Sequence, residues 1–186
     1  MRKLLLLSLL CLYAPAMLRA DVADSTANGF TIKIVENIHA SPADVYNRLT
    51  HNVGDWWNSD HTFSGDSHNL SIDDKPMGCF CEKLANGGGV RHAEVVLLMP
   101  GKALVLSGMF GPLQKFGAAG TLSFAISPAG DGSKLEVTYA VGGYLPGGLS
   151  TWAAPVDSVL TEQVTRLKSY VETGSPGVGS GARKQQ

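Results

Sequence analysis

The chain has 186 residues, 44% of them apolar, with 15 Lys and Arg against 16 Asp and Glu, a formal net charge of −1 at neutral pH. That balance excludes the strongly basic surface needed for non-specific binding of nucleic acid or of anionic membranes. The apolar fraction is ample for one hydrophobic core, and no internal repeat or second composition block divides the chain.

Arg2 and Lys3 precede the apolar run "LLLLSLLCLYA", and the small residues of "APAMLRA" follow it. This order predicts a secretory signal peptide over residues 1–20, cleaved after Ala20, with Ala16 as a second candidate. The run falls short of the ~20 apolar residues of a membrane span, so an uncleaved anchor is set aside. Cys11 follows Leu10, where a lipoprotein would place a small residue. Losing Arg2, Lys3 and Arg19 takes the basic residues from 15 to 12 against 16 acids, a net −4. The expectation is a periplasmic or secreted protein with no stable membrane insertion after cleavage and no nucleic-acid partner.

Residues 21–27 read as a short N-terminal segment. "GFTIKIVENIHA" then alternates apolar and polar positions through Phe30, Ile32 and Ile34, with β-branched residues dominant, and predicts a first strand. In "SPADVYNRLT", Ser41 is an N-cap, Pro42 sits at N1 and Asp44 at N3, a strong helix start. "NVGDWW" could carry a second short helix. "NLSIDD" and "GCFCEKLA" read as strands, and Asn86-Gly87-Gly88-Gly89 turns the latter into "VRHAEVVLLMP" as a hairpin. Pro100-Gly101 marks a turn into the strand "KALVLSGMF"; a longer loop, "GPLQKFGAAG", leads to "TLSFAISP", and "GDGS" turns into "KLEVTYAVGGY". The last element, "APVDSVLTEQVTRLKSYVETG", carries an apolar stripe at Leu160, Val164, Leu167 and Val171 and ends at Gly174 as a C′ residue. Residues 174–186, rich in Gly and Ser, predict a flexible tail.

The predicted order is strand, two short helices, further antiparallel strands and a long helix. It makes an α+β helix-grip fold: a curved antiparallel sheet of six to seven strands wrapped around the C-terminal helix. Several strings resemble the SRPBCC superfamily, which includes START lipid-binding domains, aromatase/cyclases and activators of the heat-shock chaperone ATPase. The first strand with "HASPADVYNRLT" resembles the superfamily opening. "WWNSDHTFSG", "SGMFGPL", "YAVGGYLPGG" and "VDSVLTEQVTRLKSYVETG" resemble exported bacterial members described as SRPBCC-domain or polyketide-cyclase-like proteins. The likeness spans residues 28–173 and implies an internal cavity, but no particular reaction. The chain lacks the G-x-x-x-x-G-K-[ST] string of nucleotide-binding loops, the nucleophile elbow and H-E-x-x-H, so no cofactor is implied.

The chemistry-bearing residues are then weighed against that cavity. "GDWWNSDHTFSGDSHN" (54–69) concentrates tryptophan, histidine and aspartate. Asp60, His61, Asp66 and His68 could ligate a metal, but they match no ligand spacing, and the prediction is no metal site. Trp56 and Trp57 divide between a core plug and a pocket rim. On alternation, His92 and Glu94 share one strand face and would form an inward acid–base pair, with Arg91 outward. Cys79 and Cys81 sit ~6.5 Å apart along a regular strand, awkward for a bridge, and read as two half-buried thiols.

The predicted ligand-binding set is Trp56, Trp57, His61, Phe63, His92, Phe110, Tyr139, Tyr144 and Trp152. The expected function is binding of a small hydrophobic or aromatic molecule. One alternative is a cyclase, dehydratase or hydrolase-like enzyme using His92 and Glu94 as acid and base. Another is a protein-interaction module whose cavity is filled by its own side chains.

Overall fold

The computed structural model describes residues 21–177; the expected signal peptide and residues 178–186 of the expected tail lie outside them. The strands are β1 (Asp21–Thr26), β2 (Gly29–Ile38), β3 (Leu70–Ile72), β4 (Cys79–Lys83), β5 (Gly89–Met99), β6 (Ala103–Gly108), β7 (Gly117–Ala129) and β8 (Gly132–Tyr144). The helices are α1 (Pro42–His51), α2 (Val53–Trp56) and α3 (Ser150–Thr173). All eight strands form one antiparallel sheet in the order β1-β2-β8-β7-β6-β5-β4-β3.

This is the α+β helix-grip architecture. The strand beyond the six or seven expected is β1, whose sequence "DVADST" lacks a sustained apolar alternation; it is held by pairing with β2 and by Val22, which packs against the core. In β2, Phe30, Ile32, Ile34 and Ile38 face the interior in alternation, as do Leu135, Val137, Tyr139 and Val141 of β8. Each aliphatic side chain so removed from water contributes about 1.5–3 kcal/mol. Against this face lies α3, 24 residues long, burying Leu160, Gln163, Val164 and Leu167. Gly174 terminates the helix in the left-handed region at φ 77°, its N–H bonded to the Tyr170 carbonyl. The chain then folds back: Ser169 donates to the Ser175 carbonyl at 2.8 Å and Arg166 to that of Gly177 at 3.3 Å.

The helix begins at Ser150, four residues before the predicted start at Ala154, so Pro155 lies inside it. At the other end of the groove, α1 closes the core with Val45, Tyr46 and Leu49, its N-terminus capped by Ser41, which accepts from the Asp44 amide at 3.2 Å. No helix among the described residues is long and apolar enough to cross a membrane.

Cys79 and Cys81 are joined in a disulfide, not held as separate thiols. Their Cα atoms lie 5.3 Å apart, closer than in a regular strand, where the β4–β5 register shifts. Strand contraction beside an irregularity is what the assumption of ideal geometry excluded.

Candidate functional site

Between the sheet's concave face and the N-terminal half of α3 lies a cavity of about 530 Å³. Its walls are Trp57 and the 60–63 loop, Leu70, Phe80, His92 and Tyr139 of the sheet, Phe110–Leu113 and Lys115 after β6, and Trp152, Pro155, Val156 and Val159 of α3. The lining is chiefly apolar, with aromatic rings in contact around it. Trp57 meets Phe80 edge-on at 5.5 Å between centroids and lies over Phe110 at 6.5 Å. Phe110 also meets Tyr139 edge-on at 5.7 Å and lies parallel to the His92 imidazole at 6.1 Å. These are the offset and edge-to-face arrangements that aromatic quadrupoles favour.

The two adjacent tryptophans divide the work. Trp56 turns away from the cavity, fully buried, and its indole N–H donates to the Arg48 carbonyl at 3.1 Å, locking α2 to α1. Trp57 lines the cavity and donates to the His61 carbonyl at 3.2 Å. The loop it holds is fastened to α3: Asn58 Nδ2 donates to Glu162 Oε1 at 2.6 Å, and the Asn58 amide donates to Gln163 Oε1 at 2.8 Å. His61 faces Glu162 at 3.3 Å on the cavity rim. Phe63, 48% exposed, is also rim. Asp66 and His68 bond each other at 2.9 Å on the outer surface, away from Asp60 and His61. Among the described residues no group of three or more His, Cys, Asp or Glu is arranged to hold a metal ion.

His92 points inward and Arg91 outward, but Glu94 does not join His92. In the β4–β5 register Phe80 pairs with Ala93 and Cys81 with Arg91, leaving His92 as an extra, bulged residue. The bulge breaks alternation, so His92 and Ala93 are both buried, while Glu94 turns outward and meets Arg91 at 3.0 Å. The partner of His92 is Glu82 on β4: Nε2 lies 3.0 Å from Glu82 Oε2, both side chains almost wholly buried. Glu82 also accepts from the Phe63 amide at 3.1 Å and from the Ser64 amide. On the other side of the ring, Nδ1 lies 3.3 Å from Gln114 Nε2, on the 3₁₀ turn Gly111–Lys115.

The electrostatics fix the tautomer. Burial opposes the Glu82 charge, but hydrogen bonds from Ser64, from the Phe63 amide and from His92 outweigh it and hold the carboxyl below its usual range. Burial also pulls the His92 imidazole below its ordinary 6.5, and the bond to Glu82 offsets only part of that. An ionised carboxylate can only accept, so Nε2 carries the proton and donates to Glu82. In the neutral ring Nδ1 is therefore an acceptor, and the Gln114 amide N–H donates to it. Tyr139, deeper in the cavity, has its ionisation pushed up by burial, and its hydroxyl reaches the Gly108 carbonyl only at 3.5 Å.

Of the remaining predicted residues, Phe110 and Trp152 line the cavity, whereas Tyr144 is 73% exposed and takes no part. Sequence reading missed Glu82 and Gln114. Glu82 left a signal: Phe80 and Glu82 share the inward face of "CFCEK", and a carboxylate two residues from a core phenylalanine needs a buried partner. Gln114 left none.

No family model and no curated protein matches the chain. Solved structures share its fold. A conserved protein of unknown function from Enterococcus faecalis matches with a TM-score of 0.57 at 16% identity, over 87% of this chain and 80% of its own. The Mll3558 protein from Rhizobium loti matches with a TM-score of 0.55 at 21% identity, over 75% and 96%. The Aha1 dimer from Colwellia psychrerythraea, a solution structure, matches with a TM-score of 0.54 at 20% identity, over 77% and 97%. At these identities the likeness is one of fold.

Proposed function

We propose that this chain is an exported, SRPBCC-type helix-grip protein that binds a small apolar or aromatic molecule between its sheet and α3. The observation that carries the reading is the cavity of about 530 Å³, within the range of small-molecule sites and walled by aromatic and aliphatic side chains with a few polar groups among them. A protein-interaction module with a vestigial interior would have that space filled by its own side chains. Export rests on the charged, apolar and small-residue order of residues 1–20, and mass measurement of the protein recovered from the periplasm or medium tests it.

The test of binding uses N-phenyl-1-naphthylamine, a neutral apolar fluorophore, with the mature chain and with Val156→Trp, which fills the cavity from α3. Saturable enhancement with a micromolar Kd in the native protein, lost in the variant, supports the reading. Equal enhancement in both proteins, or none in either, overturns it. Native mass spectrometry of material purified from its export compartment then identifies a retained ligand.

A further inference from the structure

The disulfide of β4 joins two cysteines with one residue between them, and that residue is a wall of the cavity. Phe80 points inward, while Cys79 and Cys81 on either side of it are partly exposed on the other face of the strand. The Phe80 ring meets His92 at 5.3 Å, Trp57 at 5.5 Å and Phe110 at 5.6 Å between centroids. Glu82, the next inward residue, holds His92 and the Phe63 and Ser64 amides of the rim. One short strand therefore carries a cross-link outside and two cavity-shaping side chains inside.

Closing a loop over a single residue restrains the unfolded chain very little, so stabilising the fold is a poor account of this disulfide. What the bond does locally is shorten β4. The two Cα atoms lie 5.3 Å apart, where a regular strand spaces alternate residues by ~6.5 Å. The shortening coincides with the register shift between Phe80 and Cys81, opposite the bulged His92. Breaking the bond lets β4 lengthen toward the regular rise, which moves Phe80 and Glu82 along the strand relative to β5. On its other side β4 is held only by β3, which is three residues long and offers little resistance. Exposure brings the bond within reach of thiols, and exposed disulfides are the labile, regulatory ones.

We infer that Cys79–Cys81 is a thiol–disulfide exchange site that sets the affinity of the cavity: the closed bond holds the binding form, and opening it releases the ligand. The inference rests on the cavity-binding reading and adds its regulation. The reaction partner is a dithiol. Its thiolate attacks one of the two sulfurs and forms a mixed disulfide as the Cys79–Cys81 bond breaks; its second thiol then attacks the mixed bond. The dithiol leaves oxidised to a disulfide, and its two electrons and two protons remain on Cys79 and Cys81 as two thiols.

The test uses the mature chain, in which these are the only cysteines, with dithiothreitol as the dithiol and maleimide labelling read by mass to count thiols. In the folded protein the count should rise from none to two. The Kd for N-phenyl-1-naphthylamine should rise with it by about five- to tenfold, as the aromatic contacts of Phe80 are lost, and return on reoxidation. Cys79→Ser/Cys81→Ser should match the reduced protein and ignore dithiothreitol; the reduced native chain carries the same test if that variant does not fold. In ¹⁵N spectra the Phe63 and Ser64 amides should shift on reduction while that of Val45 in α1 stays, which separates local movement from general unfolding. A chain recovered from its export compartment with two free thiols, a bond that dithiothreitol cannot open in the folded protein, or a Kd unchanged once two thiols have appeared overturns the switch and leaves cavity binding intact. No probe binding in either redox state overturns both.

Discussion

Replacing Glu82 by Ala should expose how much of the site depends on one carboxylate. The side chain is 1% exposed and receives three donors: the Phe63 amide, the Ser64 amide and His92 Nε2. A buried donor left without a partner costs about 1–3 kcal/mol. The two amides belong to a rim loop where Phe63 is 48% exposed, so water can replace their acceptor and their loss sits at the low end. His92 is 6% exposed and has no such recourse. The sum is about 3–5 kcal/mol, or roughly 6–20 °C in Tm for a domain of this size. Glu82→Gln, which keeps one oxygen for Nε2–H but sets its own N–H₂ against an amide, should cost about 1–2 kcal/mol. Urea unfolding at pH 7.5 measures the stability, and ¹⁵N NMR of the imidazole reads the tautomer: Nε2–H in the native protein, a mixture in Glu82→Ala. A Glu82→Ala protein within about 1 kcal/mol of native, with the tautomer unchanged, would refute the assignment of Glu82 as the anchor of the site.

Three further outcomes follow from the geometry. Because burial holds His92 neutral in the folded state, the unfolded chain binds the extra proton as pH falls below 6.5, and stability should fall with it. His92→Gln should flatten that part of the profile between pH 7.5 and 5, and parallel urea midpoints for the two proteins would count against a buried neutral imidazole. Gly120→Ala would place its methyl 2.7 Å from Tyr139 Cε2 and 3.0 Å from the Gly108 carbonyl oxygen. It should cost about 1–3 kcal/mol and change the near-UV circular dichroism of the tyrosine, and an unaltered spectrum would mean the ring has room to move. Trp56→Phe should cost about 1–3 kcal/mol through the lost bond to Arg48 and lost volume, yet leave probe affinity unchanged, whereas Trp57→Ala should weaken it. Equal effects on affinity would contradict the division of the two indoles.

What could be read in the sequence was what local chemistry determines. Ser41 caps α1, Asn86 turns the β4–β5 connection with φ 58°, and the Leu160–Val164–Leu167 stripe is the buried face of α3. These features depend on residues within a few positions of one another. β1 was missed because it carries one short apolar pair, Val22-Ala23, with no alternation, and its structural reasons are long-range: pairing with β2 and the packing of Val22 on the core. Pairing His92 with Glu94 failed because alternation assumes an unbroken strand, and the bulge at His92 has no residue signature in "VRHAEVV". The same irregularity hid the disulfide. The cavity itself was expected from the fold, but its volume and the side of the tryptophan pair that faces it arise from packing between elements a hundred residues apart.

Among the described residues the sheet is open, so its two outer strands present backbone that no other described strand pairs. At one end is β3, three residues long, too short a template to recruit a partner strand. At the other, β1 is interrupted by a bulge between Val22 and Asp24, and the carboxylate of Asp24 stands in solvent beside it. Brevity, irregularity and charge are among the devices that discourage edge-to-edge growth of a sheet. The protein's hydrogen-bonding margins are thus unattractive to partner strands, which favours remaining dispersed at concentrations where an eight-stranded sheet with bare, straight borders would aggregate.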